Sequence, residues 1–437
     1  MAVQFSEKDG RSWKPTFFTI WGGQAFSILG SQLVQFALIW FLTVQTGSAT
    51  VLATASLVSM LPGVILGPFV GTLVDRWNRR WIMVIADSVV ALASVILAVL
   101  FLLDVVVFWH IYIVMFIRSL AGGFHGNAMN ASTSLMVPVE KLTRIQGINQ
   151  MLNGGLNVVS APLGALLLSI LPMEGVLAID IITALMAVLP LCFIRIPQPR
   201  QKDENKTQLA KSTSIWQDFK AGLQYLLGWP GLLMISLLTV VINFTIIPAF
   251  SLLPLMVKDF FGGDAIMLGW IESAMGIGIV LGGALLGAWG GFKRKILTSM
   301  FGLMGMGVGT LILALTPDSV IFLAIVGALF FGMMNPFTMG PFYAIIQSHV
   351  QPDMQARIFS LLFSIGAGIA PIGLMIAGPI ADKFGIQTWF FVGGSLCVLT
   401  AVVSLFIPAV MNIEKGNHHF VEPTNPVMEP VLVTQKN

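Results

Sequence analysis

Gly71-Thr72-Leu73-Val74-Asp75-Arg76-Trp77-Asn78-Arg79-Arg80 places one acid and three arginines within ten residues, between two long apolar stretches. The upstream run covers 50–74 and the downstream run 81–103. Each reaches the roughly 20 residues needed to cross a hydrocarbon core about 30 Å thick. A charged turn between two such runs reads as a loop joining membrane helices. The same alternation extends outward in both directions, with apolar runs at 17–42, 50–74, 81–103, 108–130, 142–171 and 174–195. A second set follows at 231–256, 265–289, 295–316, 319–347, 356–381 and 387–411.

Composition agrees with a lipid solvent. Hydrophobic residues make up 56% and charged residues 10% of the 437, and mean hydropathy is +0.88. That leaves too little polar surface to coat a water-soluble particle of this size. The 44 glycines suit membrane helices, where small residues let backbones approach closely. Cys192 and Cys397 lie in apolar runs without ligand-spaced partners, so neither a disulfide framework nor a metal site is expected. The segment through Pro15 lacks the pattern of a cleaved signal peptide. The fold class read here is an all-α membrane protein of twelve transmembrane helices in two six-helix halves.

The expected organisation is a first bundle over 1–195, a cytoplasmic linker over 196–230, a second bundle over 231–411 and a disordered tail over 412–437. The linker combines Pro197, Pro199, Arg200, Lys202, Asp203, Glu204, Lys206 and Lys211 with an amphipathic stretch from Ile215 to Leu227. Trp216, Phe219, Leu223, Leu226 and Leu227 repeat there at helical spacing, as in a helix lying on a membrane surface. With the N-terminus in the cytoplasm, all of the 23 Lys and Arg except Arg118, Lys258 and Lys383 fall on the cytoplasmic side. The positive-inside rule therefore assigns both termini to the cytoplasm.

Two stretches repeat. Pro138-Val139-Glu140 with Arg144-Ile145 matches Pro352-Asp353 with Arg357-Ile358, and Ala161-Pro162-Leu163-Gly164 matches Ala370-Pro371-Ile372-Gly373. Both pairs fall on the fifth helix of their half, as a parallel repeat about an axis along the membrane normal requires.

The loop of Gly71, Asp75, Arg76, Arg79 and Arg80 resembles the signature loop of the major facilitator superfamily, Gly-x-x-x-Asp-Arg followed by a basic pair between helices 2 and 3. The resemblance implies the major facilitator fold and a gate latch at this loop. Independently, glycine permits close helix approach, and an acid beside arginines can make charge-assisted bonds that hold one conformation. The corresponding place in the second half has Gly287, Gly291, Lys293, Arg294 and Lys295 but no acid.

Helix 4 carries Arg118 near its middle, where an unpaired charge costs at least about 2.5–3.5 kcal/mol. It therefore requires a partner or a wet cavity. Gly122 and His125 follow on the same helical face. Val114, Arg118 and Gly122 resemble the superfamily's second motif, whose arginine is associated with proton transfer in exporters; Ala121 occupies the usual glutamine position. Asn149, Asn153 and Asn157 lie one turn apart on helix 5, so they line a cavity or bond another helix. Asp87, Asp180 and Glu272 are acids within predicted spans and are candidates for proton coupling; Glu272 is preferred, because Gly276 and Gly278 allow tight packing and exclusion of lipid, whereas Asp87 lies close to the cytoplasmic end, where pairing with a loop arginine is the alternative.

Closer resemblance comes from Trp21-Gly22-Gly23-Gln24, Gly30-Ser31, Thr46-Gly47-Ser48-Ala49, Leu61-Pro62, Gly67-Pro68, Phe116-Ile117-Arg118-Ser119, Phe124-His125 and Asn130-Ala131. Together these are similar to the macrolide-efflux-type branch of the drug:proton antiporters. That resemblance implies a multi-pass protein of the bacterial cytoplasmic membrane, working as a monomer, that exports bulky amphipathic compounds in exchange for protons by alternating access. Its cavity would be lined by Gln24, Gln35, Arg118, Asn149, Asn153, Asn157 and Asn243, with Arg118, Asp87, Asp180 and Glu272 serving proton movement. The expected partners are a small-molecule substrate, protons and the lipid bilayer, with no nucleic acid and no cofactor. Export of a metabolite, siderophore or lysophospholipid is the alternative within transport, and a membrane receptor or enzyme the alternative outside it. No Gly-x-x-x-x-Gly-Lys-Ser/Thr phosphate loop occurs, so the energy source expected is an ion gradient rather than ATP.

Overall fold

A computed structural model of the protein describes residues 13–194, 196, 215–350 and 352–415. The expectations placed on 197–214 and on the tail beyond 415 lie outside those residues. Twelve helices of 21 residues or more dominate what is described. The first six are α1 (Trp13–Thr46), α2 (Ala49–Arg76), α3 (Arg79–Leu102), α4 (Phe108–Met136), α5 (Val139–Ile170) and α6 (Met173–Phe193). A shorter α7 (Ile215–Gly228) follows, then α8 (Pro230–Ser251) and a single turn, α9 (Leu253–Leu255), running into a π-helical turn at Met256–Phe260. Next come α10 (Ala265–Trp289), α11 (Lys295–Leu315), α12 (Ile321–His349), α13 (Pro352–Phe384), α14 (Ile386–Phe406) and the short α15 (Pro408–Met411).

Eleven of the twelve long helices are apolar enough, as well as long enough, to cross a membrane. The exception is α4. Its 29 residues span about 43 Å at 1.5 Å per residue, but His110, Arg118, Ser119, His125, Asn127 and Asn130 dilute its apolar character. With Arg118 near its middle, α4 carries a charge at depth that must face something other than lipid.

The quoted decapeptide is mostly helix. α2 continues through Arg76, and only Trp77 and Asn78 separate it from α3. The turn is this short because Asn78 caps α3 at once, its side chain accepting from the Arg80 N–H at 3.1 Å. At the other end of α2, Ser48 is the N-cap and its hydroxyl accepts from the Val51 N–H. α10 starts on Asp264, which accepts from Met267 N–H at 2.9 Å, and stops at Gly290, whose φ of 78° lies in the left-handed region that ends helices.

Within the first half α1 packs on α5 and α6, α3 on α4 and α6, and α2 on α4; within the second, α8 packs on α13 and α14, α11 on α12 and α14, and α10 on α12. The repeated Ala-Pro-x-Gly stretches occupy equivalent places. Gly164 of α5 sits against Phe36 of α1, and Gly373 of α13 against Phe244 of α8, so the same glycine packs the fifth long helix of each half on the first. The halves meet where α2 touches α13 and where α5 touches α10.

Those inter-half contacts concentrate at the end of the bundle away from the two termini, here the distal end. One buried core there runs through both halves, from Val34, Leu38, Leu52 and Ala53 to Leu252, Leu268, Leu374 and Ala377. At the terminal end the cores are separate: Phe17, Val70, Met83 and Met136 in the first half, and Leu232, Met300, Ile346 and Ile358 in the second. The bundle is therefore closed distally, and its halves part toward the end that carries the termini. α7 joins the second half's terminal core through buried Tyr225 and Leu226.

Candidate functional site

The polar groups of the first half converge on one buried network. Gly23 and Gly30 bring α1 onto α6; a Cβ added to Gly23 would lie 2.9 Å from Met186 O, and one added to Gly30 2.1 Å from Thr183 Oγ1. That closeness places Asp180 of α6 beside α1, α3 and α4. Arg118 donates through Nη1 to Asp180 Oδ2 at 2.6 Å and to Ser94 Oγ at 2.8 Å, and through Nη2 to Ser31 O at 3.2 Å. Ser94 Oγ donates to Asp180 Oδ2 at 2.7 Å and Ser31 Oγ to Asp180 Oδ1 at 3.3 Å. The side chains of Arg118 and Asp180 are only 6% and 1% exposed, so each charge depends on the other.

A second polar group lies beside the first. Gln24 of α1 donates through Nε2 to Asp87 Oδ2 of α3 at 3.1 Å, while its Oε1 faces His125 Nε2 of α4 at 2.5 Å. An amide oxygen accepts only, so Nε2 carries the proton and His125 donates. The same ring nitrogen is 3.6 Å from Asp87 Oδ1. Arg118 is matched by Asp180, and among the described residues the basic side chain beside the buried Asp87 is that of His125.

Both groups border open space. A cavity of about 490 Å³ is lined by Ser31, Gln35, Ser59, Asp87, Arg118 and His125, among others. A smaller one of about 170 Å³ is lined by Trp21, Gln24, His125, Asn130, Asn149 and Asn153. His125 and Gly126 line both, and a Cβ on Gly126 would meet nothing within 4 Å.

Of the residues singled out from sequence, the structure brings together Gln24, Gln35, Asp87, Arg118, Asn149, Asn153 and Asp180. Asn149 accepts from Trp21 Nε1 at 2.7 Å, fixing the rim of the smaller cavity. Asn157 is exposed and lines neither cavity. Asn243 donates to Thr239 O of its own helix at 2.9 Å, close to Gly366 of α13, and stands apart from the network. Glu272 is also apart. It lies on the face of α10 whose Gly269 and Gly276 press on Pro162 and Val158 of α5, and no hydrogen bond or ion pair reaches it among the described residues. The side chains of Gly71, Asp75 and Arg76 lie outside the described residues. Arg79 and Arg80 work within the first half: Arg79 Nη1 donates to Ala131 O at 3.2 Å, and Arg80 donates to Leu191 O and Cys192 O at the C-terminal end of α6. That end gathers negative partial charge, and the guanidinium offsets it.

Sequence reasoning placed His125 on the face of Arg118 without giving it a role, and did not foresee that Gln24 bridges it to Asp87. The partner of Arg118 was equally hidden, because Asp180 lies 62 positions away on another helix.

Comparison with known proteins assigns the architecture. The model of the Major Facilitator Superfamily matches residues 20–371. Macrolide efflux protein A of Streptococcus pyogenes is 35% identical over 404 residues, covering 92% of this chain and 98% of that protein. Macrolide efflux protein A of Enterococcus faecalis is 35% identical over 329 residues, 75% of this chain and all of that sequence. Among solved structures, a bacterial homologue of the human lysosomal transporter Spinster, in an inward-facing and unoccupied conformation, superposes with a TM-score of 0.67 at 13% identity, covering 92% of this chain and 97% of that one. At that identity the likeness speaks for the fold alone. The two six-helix halves, the signature loop and these relatives together make the chain a member of the Major Facilitator Superfamily, in its macrolide-efflux-type branch.

Proposed function

We propose that this transporter exports bulky amphipathic compounds of the macrolide type across the bacterial cytoplasmic membrane, and that inward proton movement drives the export. The observation that carries the reading is the pair of adjoining polar groups at the larger cavity: a closed Arg118–Asp180 ion pair beside an Asp87 whose positive partner is optional. A proton shared by His125 and Asp87, or a cationic group on the cargo, can supply that partner, so the two compete for one carboxylate. Cavity walls of apolar side chains and amides suit a large, partly apolar cargo held with few fixed bonds. With both termini proposed to lie in the cytoplasm, the closed distal end would face outward and the terminal end would be the side that loads cargo. The chain is proposed to work as a monomer surrounded by lipid.

Everted vesicles test this. Macrolide uptake driven by an imposed proton gradient, with ATP absent, should collapse when a protonophore is added; uptake that needs ATP and ignores the protonophore contradicts it. A bulkier wall should block cargo without unfolding the protein. Gly126→Phe fills the space between the two cavities and should reduce macrolide export about tenfold or more, with thermal stability near that of the parent. Undiminished export would place the cargo elsewhere.

A further inference from the structure

At the distal end, Asp382 in the last turn of α13 reaches across the seam between the halves and holds the first turn of α2. Its carboxylate accepts from Ala49 N–H at 2.7 Å, Thr50 N–H at 3.1 Å, Thr50 Oγ1 at 2.5 Å and Ser48 Oγ at 3.2 Å. A helix leaves its first four N–H groups without partners. Ser48, the cap within the chain, takes only Val51 N–H, at 3.4 Å, and Asp382 takes two of the others. The cap of a first-half helix is thus completed by a second-half acid, with the negative charge at the favourable end of the dipole. One turn earlier on α13, Gly378 lets the helices touch; a Cβ there would lie 2.8 Å from Thr50 Cα.

The sequence at this contact is Gly378-Pro379-Ile380-Ala381-Asp382-Lys383, and at the far end of α2 it is Gly71-Thr72-Leu73-Val74-Asp75-Arg76. Glycine, three residues, aspartate and a basic residue end both helices of one antiparallel pair. Asp382 stands at the C-terminal end of α13 beside the N-terminus of α2, and Asp75 near the C-terminal end of α2, at the opposite end of the bundle. Two halves that rock about their middle open one end as they close the other.

From this arrangement we infer that Asp382 is a positioning residue of the transport cycle, a distal latch opposed to the signature loop, which holds the conformer that is open toward the termini. Breaking it is a step the halves must complete before the distal end can open. The acid touches no cargo and lines neither cavity, so it acts on which conformer is populated, not on what is bound.

Distances between spin labels at Val105→Cys and Asp318→Cys, in the distal loops of the two halves, report the distal opening. The background replaces Cys192 and Cys397, and the protein sits in lipid nanodiscs without cargo or gradient. Asp382→Asn keeps the shape of the side chain and removes its charge. It should raise the ratio of long to short distances about fivefold. Gly378→Leu, which wedges the same contact without touching the acid, should move the ratio in the same direction, and it decides the matter if Asp382→Asn does not fold. Asp75→Asn should move it the opposite way. A distribution unchanged by the distal substitutions, or shifts of Asp382→Asn and Asp75→Asn in one direction, overturns the inference. Because neither protons nor cargo enter the measurement, its outcome is independent of the proposed antiport.

Discussion

Asp180→Ala is expected to destabilise the protein by about 3–5 kcal/mol, the cost of leaving the Arg118 guanidinium buried and unpaired. Thermal unfolding in detergent or lipid measures it. Three hydroxyl, carbonyl and carboxylate partners converge on that guanidinium, and removing the carboxylate leaves Ser94 Oγ and Ser31 O, both neutral. Replacing both charges, as in Arg118→Leu with Asp180→Leu, should recover most of the lost stability, since a matched apolar pair costs no desolvation. Transport should not recover with it if the pair also shapes the cavity. A single Asp180→Ala variant as stable as the parent would show that the pair contributes nothing to holding α1, α3, α4 and α6 together.

Asp87→Asn is expected to separate cargo movement from proton movement. The variant keeps the hydrogen bond from Gln24 and the shape of the site but removes the carboxylate that lies beside His125. Gradient-driven export should fall at least about tenfold, while exchange of labelled for unlabelled cargo across the membrane, which needs no net proton movement, should persist. Parallel loss of driven export and of exchange in Asp87→Asn would mean that the residue binds cargo or supports the fold without coupling.

Much of the architecture was legible in the sequence because lipid imposes a simple rule: a spanning segment must be long, apolar and internally hydrogen-bonded. Span positions follow from that rule, and the helices of the structure cover the runs read from sequence. α4 is instructive because its length gave it away while its hydropathy argued against it, and of the polar residues responsible Arg118, Ser119, His125 and Asn130 line the cavities. The turn at 71–80 was read too long, since nothing within it breaks a helix before Asn78.

The site was legible by residue type but not by pairing. An arginine or aspartate at depth announces that a partner exists, yet Arg118, Asp180, Asp87, His125 and Gln24 belong to four different helices, and periodicity along one helix carries no information about which faces another. The asparagines illustrate the limit. Three at one-turn spacing read alike, but Asn149 bonds Trp21, Asn153 borders the smaller cavity and Asn157 does neither. Arg79 and Arg80, singled out with the gating loop, bind backbone carbonyls of α4 and α6, contacts for which no sequence spacing exists.

Competition between cargo and proton for Asp87 has its own readout, proton release on cargo binding. When a macrolide is added to purified protein in weakly buffered solution near neutral pH, the account predicts release of up to about one proton per protein, absent in Asp87→Asn. Tight macrolide binding with no proton release at any pH, or equal release from the parent and Asp87→Asn, would contradict it.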